Sequence, residues 1–278
     1  IVERRVSGRV HAGQDLGAIR GYYASDCCPV PDGTTAYLDF YNLLSPAGGH
    51  GGLGIDVDGN PLEVEHSWGS GPMNAWKTAT EFDVDYLAIG LSLTENDHPG
   101  GLDRLVAGQH DAEIRQLAVF AQYVDVTILL RIGYEFDGAH NELEPMEYVT
   151  AYRRFVDITR DEGVNNVAFV WHSYAAPPYK GYPLASWYPG DDYVDWVAVS
   201  LFRHMYSPNL GSYAHAVFDF ARTHKKPVMV AESSPVDGIS EGDLRSWDTW
   251  FVNYFSLAYQ KNIKALSFIT TDWTEFPP

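Results

Sequence analysis

The chain holds 278 residues, 45% of them hydrophobic, and carries a formal net charge of −18 at pH 7. That length and hydrophobic share suit one barrel-sized domain of about 250 residues with a large core. The acidic balance excludes nucleic acid and disfavours an anionic polysaccharide, which leaves a neutral substrate as the simplest match.

The chain begins at Ile1 without Met or a signal peptide, so a processed or excised domain of a secreted protein is expected. Residues 18–24 read as the first strand. Cys27 and Cys28 follow, the only cysteines, too few for a disulfide framework or a zinc site. Their adjacency leaves open whether they are bonded. Asp32-Gly33 then reads as the cap of a helix over 34–44. Asp56-Val57-Asp58-Gly59-Asn60 reads as a polar turn, since it lacks the length and closing Glu of a calcium loop. Residues 61–68 read as the second strand, 74–82 as a short helix and 85–92 as the third strand.

Residues 111–123 have helical spacing, with Ile114, Leu117, Ala118 and Ala121 on one face. Val126-Thr127-Ile128-Leu129-Leu130-Arg131-Ile132-Gly133-Tyr134 forms the fourth strand and leads into Glu135. A helix over 144–162 has Pro145 in its first turn and Gly163 as its stop. The fifth and sixth strands, 167–173 and 195–202, leave little room for a helix between them. A helix over 213–223 precedes Lys226-Pro227-Val228-Met229-Val230-Ala231, the seventh strand, which leads into Glu232. A helix over 243–261 and an eighth strand over 265–273 complete the order, and residues 274–278 read as the start of a linker, as appended carbohydrate-binding domains would require. No run of about 18 apolar residues occurs, so no membrane-spanning helix is expected.

Strands alternating with helices imply a parallel sheet, and eight of them imply a closed (β/α)8 barrel in the α/β class, spanning 1–278 as one domain. Gly21-Tyr22-Tyr23 offers no glycine-rich phosphate loop, which argues against a doubly wound nucleotide fold. In such a barrel, catalytic groups come from the carboxyl ends of the strands. Those ends present His66 and Trp68 on the second strand, and Glu95, Asp97 and His98 beyond the third. The fourth gives Arg131, Tyr134, Glu135 and Asp137, and the fifth Trp171 and His172. The sixth gives Phe202, Arg203 and His204, the seventh Glu232, and the eighth Asp272 and Trp273. Two glutamates at one mouth are the equipment of glycoside hydrolysis, provided one is held protonated and the other ionised. Of the 8 Trp and 18 Tyr, most fill the core, and some are expected to stack on sugar rings. The first strand carries no His-x-His pair, so no metal and no cofactor is expected.

The segment Leu129-Leu130-Arg131-Ile132-Gly133-Tyr134-Glu135-Phe136-Asp137-Gly138 resembles the acid/base strand of glycoside hydrolase family 26. Four later segments resemble that family in order and spacing. They are Tyr152-Arg153-Arg154-Phe155, Val164-Asn165-Asn166-Val167, Trp187-Tyr188-Pro189-Gly190-Asp191 and Lys226-Pro227-Val228-Met229-Val230-Ala231-Glu232. The family is best known for endo-β-1,4-mannanases and belongs to a clan of retaining barrel glycosidases. The resemblance implies Glu135 as acid/base, Glu232 as nucleophile, Arg131 as the arginine that orients the nucleophile, and Trp273 as a sugar platform. This chain departs from the family pattern in three places. Tyr134 stands where the family has His, and Phe202 where it has a Tyr that bonds the nucleophile. Ala139-His140-Asn141-Glu142 replaces a Trp-rich loop.

The expected activity is therefore retaining, endo-acting hydrolysis of a β-linked polysaccharide, β-mannan first and β-glucan or xylan next. Tyr134, His66, Trp68, Trp171, His172, Phe202, Arg203 and His204 are the further expected sugar contacts. The rival readings are an exo-acting glycosidase on another glycan, a non-catalytic carbohydrate-binding barrel and a metal-dependent barrel hydrolase. A secreted monomer that meets its glycan outside the cell fits the first reading.

Overall fold

The computed structural model describes residues 9–25, 29–67, 71–235 and 247–269. Eight parallel strands close into a barrel. In chain order they are β1 (Arg9–Ala12), β2 (Gly33–Asp39), β3 (Tyr86–Ser92), β4 (Thr127–Ile132), β5 (Val167–Ser173), β6 (Trp196–Leu201), β7 (Val228–Ser233) and β8 (Ala265–Phe268). β8 returns to pair with β1, Arg9 opposite Ala265.

Side chains alternate along each strand, so every strand is split between two environments. Ala88, Leu129, Val170, Ala198, Met229, Ala231 and Ala265 form a separate buried cluster along the barrel axis. Most are small because the axis is narrow. The alternate residues, among them Leu87, Ile89, Leu130, Trp171 and Val199, belong to the larger core beneath the helices. Those helices are α1 (Leu16–Ala24), α2 (Ala75–Thr80), α3 (Gly101–Val106), α4 (Asp111–Tyr123), α5 (Pro145–Asp161), α6 (Pro208–Thr223) and α7 (Val252–Gln260). Between β5 and β6 only two single turns occur, Tyr179–Gly181 and Leu184–Trp187, as the short spacing requires. Among the described residues, no helix is long and apolar enough to cross a membrane.

The first two expected elements are corrected. Residues 18–24 are helical, not a strand: the Asp15 carboxylate accepts the Ala18 N–H at 3.0 Å and starts α1 there. The true β1 lies upstream and is only four residues long. Residues 33–39 are strand, not helix, as Thr34, Thr35 and Tyr37 favour. Asp32-Gly33 only imitates a helix cap. Asp32 Oδ2 accepts the Val10 N–H at 2.9 Å, and a Cβ on Gly33 would lie 2.7 Å from the Tyr86 carbonyl. That glycine admits a neighbouring strand.

The expected strand over 61–68 is not part of the barrel. His66–Ser67 pairs antiparallel with Pro72–Met73, a small hairpin in the long β2–α2 connection. The polar turn reading of 56–60 agrees with the structure: Asp56 Oδ1 accepts the N–H groups of Asp58 at 2.9 Å and Asn60 at 2.8 Å. Strand β4 ends at Ile132, three residues before Glu135, and α6 starts earlier than expected, where Ser207 caps it and Pro208 opens it. Trp68, Asp272, Trp273, Cys27 and Cys28 lie outside the described residues.

Candidate active site

Glu135 sits on a sharp turn, not on a strand. Gly133 and Glu135 both have φ of 55°, in the left-handed region that costs a non-glycine residue of order 1–2 kcal/mol. Local hydrogen bonds hold the turn against that cost. Asn141 Nδ2 donates to the carbonyls of Tyr134 and Glu135, both at 2.9 Å, and the Gly138 N–H donates to the Glu135 carbonyl at 2.8 Å. The result turns the Glu135 carboxyl into the mouth, where it keeps only 6% of its surface exposed.

Glu232 reaches the same mouth by another device. Inward residues of β7 alternate as Met229 and Ala231, so strict alternation would send Glu232 outward. A bulge intervenes: Val199 pairs with Val230, but Ser200 pairs with Glu232. The skipped residue reverses the facing and aims Glu232 at the mouth.

Arg131 points into the barrel from β4 with no exposed surface and donates from Nη1 to Glu232 Oε1 at 2.6 Å. It also lies 4.9 Å from the Tyr37 ring centroid and 5.7 Å from that of Tyr134. Space for it comes from Gly90 on β3, where a Cβ would lie 2.6 Å from Tyr37 Cδ1 and 2.9 Å from Arg131 Nη2. Tyr37 lines the same mouth and acts on the Glu232 carboxyl. Burial holds the Tyr37 phenol well above its ordinary pKa, so it remains a donor. Burial, and then the charge of Glu135, push Glu232 up to about 7, while Arg131 and Tyr37 pull it down.

Glu135 has different partners. The Ser200 hydroxyl donates to Oε1 from the buried side. Behind Ser200, His172 Nε2 lies 3.0 Å from its Oγ. Burial drives His172 well below an ordinary histidine, so its ring is neutral and orients the hydroxyl. On the solvent side, His140 Nε2 lies 2.9 Å from Glu135 Oε2. Beside the pair opens a cleft of about 420 Å3 whose lining includes Tyr37, Asp39, His66, His98, Tyr134 and Glu232. There His98 Nε2 lies 3.2 Å from Asp39 Oδ1, and Asn42 donates to Asp39 Oδ2 at 2.6 Å.

Of the expected site residues, Arg131, Tyr134, Glu135, His172 and Glu232 come together, and His66 joins the cleft from its hairpin. Trp171 does not. It alternates outward on β5, stacks on Phe136 at 4.6 Å and donates from Nε1 to the Trp187 carbonyl. His204 is a buried brace: Nε2 lies 2.8 Å from the Ala175 carbonyl, and Nδ1 accepts the Phe202 N–H at 3.1 Å. Phe202 is half-buried, its carbonyl taken by Trp250 Nε1, and Arg203 is exposed. Asp137 is a strut, accepting from Ser173 Oγ at 2.6 Å and Tyr174 N at 2.7 Å, and burial pushes it up to about 6. Glu95 accepts the N–H groups of Gly100 and Leu102. Among the described residues, no His, Cys, Asp and Glu side chains gather into a metal-binding set of three.

Tyr37, Asp39, Ser200 and His140 are site residues that sequence reasoning missed. Tyr37 and Asp39 were assigned to a helix. Ser200 could have been found by alternation, two residues beyond the inward Ala198.

The chain belongs to glycosyl hydrolase family 26, whose model matches residues 99–268. It is 27% identical over 284 residues to a beta-1,3-xylanase from Alcaligenes sp, an alignment covering 95% of this chain and 55% of that protein. A beta-1,3-xylanase from Vibrio sp is likewise 27% identical over 95% of this chain and 56% of its own length. The chain thus spans about half the length of these relatives. Among solved structures, a GH26 beta-mannanase from Bacteroides ovatus superimposes with a TM-score of 0.67 at 17% identity, covering 97% of this chain and 82% of that one. At this identity the likeness is one of fold.

Proposed function

We propose that this chain is a retaining, endo-acting glycoside hydrolase for a neutral β-linked polysaccharide, with β-1,3-xylan ahead of β-mannan. The observation that carries the reading is the unlike surroundings of two neighbouring carboxyls. Glu232 touches a buried permanent cation, Arg131, at 2.6 Å. Glu135 touches a hydroxyl and an imidazole. Burial and the nearby charge of Glu135 raise Glu232 to about 7, and Arg131 opposes that rise. Arg131 stabilises the charged form of Glu232, the form a nucleophile needs.

That division is the one double displacement needs. Glu232 attacks the anomeric carbon while Glu135 gives its proton to the glycosidic oxygen, and the C–O bond breaks. A water then loses a proton to Glu135, its oxygen bonds the anomeric carbon, and Glu232 leaves. Arg131 and Tyr37 take up the charge that returns to Glu232 in this step.

The order of substrates follows the relatives. Two beta-1,3-xylanases align with nearly the whole chain, whereas the beta-mannanase resembles it in fold at lower identity. Tyr134 in place of His, beside the acid/base, also separates this mouth from the mannanase pattern. A polymeric substrate of this kind is too large to cross a membrane, which supports action outside the cell.

The test is product analysis on β-1,3-xylan, β-1,4-xylan, β-mannan and β-glucan, with wild type and Glu232→Gln side by side. Oligosaccharides of several lengths from β-1,3-xylan, formed by wild type only, support the proposal. Monosaccharide alone would point to exo action. Cleavage of β-mannan alone would reverse the substrate order. Binding without turnover on every glycan would make the chain a carbohydrate-binding barrel.

A further inference from the structure

We infer that His140 is a positioning residue of the acid/base, holding and sharing the Glu135 proton through its Nε2 contact with Glu135 Oε2 at 2.9 Å. The inference rests on the acid/base reading of Glu135. Of that carboxyl's two oxygens, Oε1 is taken from the buried side by Ser200. Oε2 is therefore the oxygen left to exchange a proton with a substrate, and His140 sits on it. The ring stands at the solvent edge, 47% exposed, where it can give way to a glycosidic oxygen.

The loop is built to put the ring there. Thr94 Oγ1 donates to the His140 carbonyl at 3.4 Å, and the Glu95 N–H donates to the Asn141 carbonyl at 3.1 Å. The Asn141 N–H closes a turn onto the Gly138 carbonyl at 3.1 Å. Gly138 leaves room for the imidazole: a Cβ on it would lie 2.3 Å from His140 Cε1 and 2.8 Å from Nδ1. The same Asn141 clamps the strained backbone of Glu135, so one loop sets both partners of the pair.

The surroundings favour a proton on this pair. Around the ring lie Glu135, Glu232 and Asp137 as carboxyls, Tyr174 edge-on at 5.2 Å, and the neutral His172. Arg203 acts on Tyr174 from beyond. Burial opposes an imidazolium, but the Glu135 hydrogen bond and the three carboxyls outweigh it and raise His140 above an ordinary histidine. At rest one proton lies between Nε2 and Oε2. A glycosidic oxygen reaching Oε2 takes it as the C–O bond breaks and Glu232 bonds the anomeric carbon. His140 is left neutral and Glu135 as carboxylate, ready to take a proton from water in the second step.

Two readouts test this. The first is the NMR titration of the His140 imidazole in wild type and Glu135→Gln, which needs no turnover. His140 is expected to titrate above an ordinary histidine in wild type and lower in Glu135→Gln. An unmoved titration overturns the inference, whatever becomes of the glycosidase reading. The second is the pH profile of kcat/KM on the cleaved glycan for His140→Gln and Gly138→Ala. Gly138→Ala keeps the imidazole but pushes the ring off Glu135. In both variants the alkaline limb is expected to move to lower pH, so the loss grows as pH rises through neutrality. Aryl glycosides with acidic leaving groups should lose little in the first step, because they need no proton. An equal loss at every pH, with the limb unmoved, would mark a purely structural role and sink the proposal.

Discussion

A guanidinium with no exposed surface needs a fixed counter-charge, and Arg131 finds one in Glu232 at 2.6 Å. Truncating Glu232 therefore does two things at once. Glu232→Ala strands a buried charge, and the cost of breaking such a pair is about 3–5 kcal/mol. Glu232→Gln fills the same volume and keeps an acceptor for Arg131. Both variants should be inactive, but Glu232→Ala should unfold at distinctly lower denaturant than Glu232→Gln. Equal midpoints would mean that Arg131 is satisfied without Glu232. The same residue sets a pH dependence. Glu232 is raised to about 7 because burial and the charge of Glu135 outweigh the pull of Arg131, so its charge costs stability as it forms. Its contribution to stability is full below the ordinary carboxylate range and is lost as pH rises through about 7. The nucleophile acts ionised, so kcat/KM should rise as Glu232 loses its proton towards about 7. A profile still rising well above that pH would contradict the assignment.

The strands carry the site through geometry that alternation alone only partly reveals. β3 to β7 were legible as buried apolar runs, and Glu135, Arg131 and Glu232 as their polar ends. The bulge that aims Glu232 inward leaves no mark in residue type, because Ala231 and Glu232 suit either facing. β1 was missed because it is four residues long and carries an exposed Val10. Without that short strand in view, Asp32-Gly33 reads as a helix cap, which takes Tyr37 and Asp39 away from the mouth. His140 was out of reach because its place depends on loop contacts made by Thr94, Gly138 and Asn141. Trp171 was misplaced by proximity: it neighbours His172 in sequence and faces the opposite way. Gly90→Ala puts a methyl against Tyr37 and Arg131, and overpacking of this kind costs about 1–3 kcal/mol. The variant should lose both stability and kcat, and a fully active Gly90→Ala would show that Arg131 does not need its position.

Across the whole molecule, whose formal net charge is −18, some cations tie one element to another. Arg20 on α1 reaches Glu65 at 2.9 Å and Glu81 at 2.8 Å, and Lys77 on α2 joins Glu65 at 3.0 Å. The Arg20 hydrogen bond first, and then Lys77, hold Glu65 down to about 2. A depressed carboxyl stabilises the fold above its unfolded value and loses that contribution as pH falls through about 2. The network is half-exposed and screened, so its share is modest. In Arg20→Gln the fall in Tm on acidification should be shallower than in wild type. Parallel curves would remove the network from the acid response.

For this barrel we propose a two-step displacement on Glu135 and Glu232. The most direct measurement is the anomeric configuration of freshly released product, followed by proton NMR during β-1,3-xylan hydrolysis. The β-anomer is expected to form first and then mutarotate. Prior appearance of the α-anomer would contradict it, because a single displacement has no place for Glu232 as a nucleophile.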